Sequence, residues 1–153
     1  PDYAVTGVQT CALPISSEFT VAINPNLEPG FTSPSFTLNN DTKAPILVYV
    51  KAINLRSGDF NLVSPNAHSD WGDLSASESK DVALSVRATG TDWTSKVDQA
   101  HWSTDINVSE GNLMGEIKGK GSGTFTFEAR HGNAFPVVTN FVCDLVFVLK
   151  IKP

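Results

Sequence analysis

Cysteine, methionine and histidine are scarce in this chain, at two, one and three residues of 153. Two cysteines do not make a disulfide framework. Cys143, set in the apolar run NFVCDLVFVL, reads as a buried structural thiol rather than a nucleophile. No two histidines have the His-x-x-x-His spacing of a helical metal site, so His68, His101 and His131 read as exposed turn residues. Basic residues are also few, since 11 Lys and Arg against 16 Asp and Glu leave a net charge of −5. Such scattered charges provide no electrostatic footprint for nucleic acid. Long apolar runs are missing too. The longest, FVCDLVFVLKI, is cut by Asp144 and Lys150 well short of the roughly 20 residues of a membrane-spanning helix. Neither Gly-x-Ser-x-Gly nor the phosphate-loop pattern occurs, because in GKGSGTF Lys120 is followed by Gly121 and no helix follows the turn.

What the chain does have is alternation with period two, broken at intervals by turn residues. EFTVAI places Phe19, Val21 and Ile23 on one face, and FTL places Phe36 and Leu38 together. ILVYV sets Ile46, Val48 and Val50 opposite Leu47 and Tyr49, with Pro45 at the strand start and a hairpin or a crossing before it. GDFNLVSP gives a short strand, and DVALSVRAT alternates through Val82, Leu84 and Val86. LMGEIKGKGSGTFTFEARHGN reads as two strands around a hairpin turn whose glycines supply positive φ. The last segment aligns Phe141, Cys143, Leu145, Phe147 and Leu149, with valines between them, as a central strand. NAHSDWGDLSASESK is the one stretch expected to make a helical turn or two. The pattern predicts an all-β fold, a two-layer antiparallel β-sandwich, Ig-like or jelly-roll-like, of about eight strands, with a closed barrel as the alternative.

The start of the chain follows none of these rules. VTGVQTCALPIS, Val5 to Ser16, matches the in-frame translation of a sequencing-library adapter, and the PDYA before it equals the end of an epitope tag. Residues 1–16 contain no Lys or Arg and no unbroken apolar core, so they are not an export signal. They are expected to be a disordered, non-native segment whose removal leaves stability unchanged, with 17–153 as a single domain whose native start is missing. Cys11 falls in this segment, which leaves Cys143 without a partner.

Two groups of residues carry the chemistry the sequence offers. His68, Asp70 and Asp73 in HSDWGD are a candidate metal set, of the kind a metalloprotease-like site or a calcium loop uses, although the EF-hand spacing is absent. The plainer reading has Asp70 or Ser69 capping a turn and Trp71 tucked onto the core. Trp71, Trp93 and Trp102 all lie in turn-rich segments and are a candidate sugar-stacking set, or else the seals of the sandwich ends. Asn40-Asp41-Thr42 and Asn107-Val108-Ser109 fit the glycosylation sequon. No catalytic residue and no cofactor is expected.

The order FTLNNDTKAPILVYVKAI, HSDWGDL, DVALSVRA, GEIKGKGSGTFTFEARHG, LVFVLKI resembles small exported β-sandwich proteins of Gram-positive bacteria, of the WxL-type and camelysin/TasA-like kinds. The Trp-x-Leu signature itself is not met, since WGDL has one residue too many, and no Leu-Pro-x-Thr-Gly motif appears. The resemblance implies export to the cell surface and a structural or adhesive role, with other surface proteins, further copies of the chain or cell-wall glycans as partners. A carbohydrate-binding module and a phage virion component are the alternatives.

Overall fold

A computed structural model describes residues 2–6, 10–22, 29–56, 60–132, 135 and 138–153. It is all-β, with two curled, mostly antiparallel sheets packed face to face as a sandwich. The strands, in chain order, are β1 (Asp2–Val5), β2 (Thr10–Ala22), β3 (Gly30–Thr32), β4 (Phe36–Asn40), β5 (Ile46–Leu55), β6 (Asn61–Leu62), β7 (Asp81–Thr89), β8 (Ser95–Lys96), β9 (His101–Trp102), β10 (Asn112–Ile117), β11 (Ser122–His131) and β12 (Val138–Ile151). Seven are long; the other five span four residues or fewer, too short to leave a period in the sequence.

Sheet A runs β1-β4-β11-β7-β6, with β3 added beside β11 and β9 beside β7, and sheet B runs β2-β12-β5-β10-β8. Among the described residues only the β1–β4 and β6–β7 pairs are parallel. From β3 onward the chain changes sheet at nearly every connection, and no two consecutive described strands form an antiparallel hairpin. The glycine-rich turn after β10 is therefore a crossing between sheets, not the hairpin its sequence suggests. Its positive φ of 60° falls on Lys120, whereas Gly119 is small because the Lys43 carbonyl lies 2.2 Å from where its Cβ would sit. A side chain there meets backbone that cannot yield.

The alternation read from sequence is the core. Phe36, Leu38, Val82, Leu84, Val86, Phe125 and Phe127 from sheet A face Ile46, Val48, Val50, Phe141, Cys143, Leu145, Phe147 and Leu149 from sheet B, all buried. Phe19 and Val21 are buried with them; Ile23 lies outside the described residues. Phenylalanine rings dominate the contact, with Phe19 stacked on Phe127 at 5.1 Å and Phe125 edge-on to Phe147 at 5.4 Å. On β5 a bulge opposite Val146 and Phe147 shifts the inward face, so burial passes from Val50 to Ile53.

Two expectations are corrected. Residues 1–16 are not disordered where the structure describes them: Asp2–Val5 and Thr10–Ser16 are strand, and Val5 and Ile15 are 3% and 4% exposed. The reason is β12, whose 14-residue length offers a flank that a short β2 leaves open, and Thr10–Ser16 pairs along Lys150–Asp144. The stretch 66–80 holds turns rather than a helix. Local side chains capture its backbone, as when Ser64 Oγ accepts from the Asn66 N–H at 3.2 Å and Asp70 Oδ1 from the Gly72 N–H at 3.0 Å. Among the described residues the one short helical turn, a 3-10 turn, is at Ser103–Asp105.

Candidate functional site

The outer face of sheet A carries a polar row. Arg87 on β7 donates through Nε to Glu128 of β11 at 2.7 Å and through Nη1 to Asp98 at 3.2 Å. The bond to Glu128 above all holds the guanidinium firmly charged. Two residues on, Arg130 projects from β11 because odd positions of this strand face the core and even ones face outward. Its guanidinium lies 5.2 Å from the Trp102 ring centre, and Nη1 donates to the Pro65 carbonyl at 3.1 Å. Trp71 Nε1 donates to the same carbonyl at 3.0 Å. The Pro65 carbonyl thus ties the 64–74 loop to the sheet through Arg130 and closes the loop on itself through Trp71.

Two clefts meet at Gly30 and Arg130. One, about 280 Å³, runs between Phe31, Thr32, Trp102 and Glu128, and the other, about 450 Å³, between Pro29, Ser69, Asp70 and Trp71. Together they make a groove along this face. Trp102 is half-buried at its wall, and Trp71 borders it while itself only 6% exposed. Trp93 is elsewhere. Its ring lies over Gly115 and Gly123, where an added Cβ would stand 2.8 and 2.4 Å from ring atoms, and its Nε1 donates to the Thr124 carbonyl at 2.9 Å. The three tryptophans therefore do not form one stacking platform. Trp93 seals an end of the sandwich, Trp71 anchors a loop, and Trp102 alone offers part of a ring to solvent. Sequence patterning passed over Arg130, although its outward phase on ARH was legible.

His68, Asp70 and Asp73 border a third cleft of about 380 Å³ with Glu78. They do not converge. His68 Nε2 pairs with Asp81 at 2.8 Å and its ring stands edge-on to Trp71 at 4.8 Å, while Asp70 caps Gly72. Among the described residues no three His, Cys, Asp or Glu side chains are grouped to hold a metal ion.

All three histidines are corrected from exposed: His68 is partly buried, its side chain 11% exposed, and the other two are buried. His101 is 2% exposed and His131 fully buried. Burial lowers the pKa of both below the ordinary 6.5, with Arg87 adding to the effect at His101. His131 Nδ1 lies 2.7 Å from the Gly132 carbonyl and so donates to it, which leaves Nε2 an acceptor without a partner among the described residues. Cys143 is fully buried as expected, and its thiol is pushed up to about 12 by burial and then by Asp144. It stays protonated and out of solvent, which is the condition of an inert thiol. Asn40 is also fully buried, with its Nδ2 donating to the Ala44 and Lys118 carbonyls at 2.8 and 3.0 Å, so the first sequon is closed to modification. Asn107 is exposed.

Comparison with family models, with curated proteins and with solved structures finds no match to this chain.

Proposed function

We propose that the chain is a non-enzymatic, extracellular β-sandwich of the cell surface that acts by strand pairing along the open flank of sheet B. The observation that supports this reading is β2. It pairs with β12 over 13 residues on one side, and among the described residues its other flank pairs with nothing. A long unpaired flank is a template for another strand. Half of β2, Thr10–Ser16, is the stretch that matches an adapter, and on that reading the Asp144–Lys150 part of β12, which pairs with it, accepts a strand whose sequence was never selected to fit it. The resemblance to exported surface proteins points the same way, toward other copies or other surface proteins as partners.

The test is the oligomeric state of the whole chain by sedimentation across a concentration series, alongside the variant Ser16→Lys/Thr20→Glu. Both positions are exposed on β2, and charge on an edge strand blocks pairing. Concentration-dependent assembly that the variant lacks supports the reading; a monomer at every concentration removes it.

The groove at Trp102 and Arg130 favours a second reading, a carbohydrate-binding module. Retention on an insoluble polysaccharide that Trp102→Ala abolishes would establish it in place of the first.

A further inference from the structure

The lysines are unevenly placed. Six of them gather at the end of the sandwich where β4 crosses to β5 and β10 crosses to β11. Lys43 and Lys118 are exposed in those turns, and the Lys120 N–H donates to the Thr42 carbonyl at 2.9 Å, which fastens the two turns together. Lys152 arrives from β12, its N–H donating to the Pro45 carbonyl at 3.0 Å, and Lys150 lies over Tyr49 just before it. Lys96 completes the set, bonded to the Gly90 carbonyl. Asp41, Asp92 and Glu116 are the carboxylates at this end, and among the described residues only Lys152 of the six forms an ion pair, with Glu116 at 2.9 Å. The opposite end has the reverse sign. Asp70, Asp73, Glu78 and Asp81 cluster in and after the 64–80 loop, with His68 against Glu78 and Asp81, Lys80 in the same stretch, and Arg130 sharing a cleft with Asp70.

These poles do not cancel within one molecule. The 14 residues of β12 span about 45 Å at roughly 3.3 Å per residue, longer than the Debye length at any ordinary ionic strength. Each pole is therefore seen separately by an approaching partner. A second copy brings the complementary sign in the right place.

We propose that two copies of this chain associate end to end, the lysine-rich pole of one against the acidic pole of the other. The contact is heterologous and does not close on itself, so it continues into linear stacks as concentration rises. It uses neither flank of β2 and is independent of the strand pairing proposed above.

The experiment is sedimentation velocity on the whole chain at about 0.01 M and about 0.15 M salt, where the Debye length falls from about 30 to about 8 Å. Two charge-reversed variants accompany it: Lys43→Glu/Lys118→Glu, and Asp73→Lys/Glu78→Lys. The expected result is association at low salt, weakened about tenfold or more at the higher salt and in either variant alone. Mixing the two variants restores it, because one then has two acidic poles and the other two basic ones. That recovery also shows that both variants are folded. Ser16→Lys/Thr20→Glu retains the association. A chain that stays monomeric at low salt, association indifferent to salt, or variants that associate alone or fail to recover on mixing overturns the proposal. Association lost only in Ser16→Lys/Thr20→Glu assigns it to strand pairing instead.

Discussion

The two ends of the sandwich are closed by different chemistry. Around Asn40 and Trp93 every polar group named has a partner: Asn40 Nδ2 serves the Ala44 and Lys118 carbonyls, its Oδ1 accepts from Thr42 Oγ1 at 2.6 Å, and Trp93 Nε1 serves Thr124. Around His131 the closure is made of rings. Phe31 lies 4.7 Å from Phe141, Phe60 4.6 Å from Phe135, and His131 5.0 Å from Phe135, with one imidazole nitrogen bonded and the other buried without a partner among the described residues. The polar knot that joins two crossing turns has no titratable member, while a half-satisfied imidazole among apolar rings ties its end to the protonation state of one nitrogen. The first end is the mechanical anchor and the second the sensitive one.

The largest test of that contrast is Trp93→Ala. It empties the space between Gly115 and Gly123 and leaves the Thr124 carbonyl without its donor, and is expected to cost about 3–5 kcal/mol in urea unfolding. Trp102→Ala, at a half-exposed position, is expected to cost about 1 kcal/mol or less. Equal losses would mean that the end near Asn40 is not held by its tryptophan.

Removal of residues 1–16 is expected to come next. Val5 and Ile15 are buried, and burial of each such side chain contributes about 1.5–3 kcal/mol before chain entropy is subtracted. Thr10 pairs with Lys150 at the Asn40 end, so the loss loosens that end and leaves the ring cluster intact. Calorimetry should show a lower melting temperature with the acid response described below unchanged. An unaltered melting temperature would return these residues to the role of a passive extension.

Strand positions were legible because every long strand has one face in a single core, and Phe125, Phe127 and Phe141 to Leu149 announce that face by alternation alone. Partners were not, because a turn's residues do not record whether the chain stays in its sheet. KGKG reads as a hairpin and is a crossing, with its positive φ on lysine. The same alternation carried to its end puts His131 inside with Phe127 and Ala129, a signal outweighed by the polar residues after it. Trp71 and Trp93 show the limit from the other side. In sequence both sit among turn residues, and only three-dimensional packing decides that one anchors a loop while the other fills a gap between glycines.

The smallest expected effect is the most selective. His131 and His101 are both shifted below 6.5 in the folded chain, chiefly by burial, so between 6.5 and those lower values the unfolded chain binds more protons than the folded one. Stability is then full above about pH 6.5 and falls as pH drops, with a slope of at most about 1.4 kcal/mol per pH unit for each histidine. His131→Phe removes one titrating group while keeping a ring against Phe31 and Phe135, at the cost of a bond to Gly132. Urea midpoints at pH 7.5 and 5.5, on either side of the ordinary histidine value, should therefore converge in that variant relative to the parent chain. If the parent shows no acid loss, Nε2 of His131 is solvated in solution. If the loss persists undiminished in His131→Phe, His101 on β9 carries it, and the sensitivity belongs to the face of sheet A rather than to the ring-closed end.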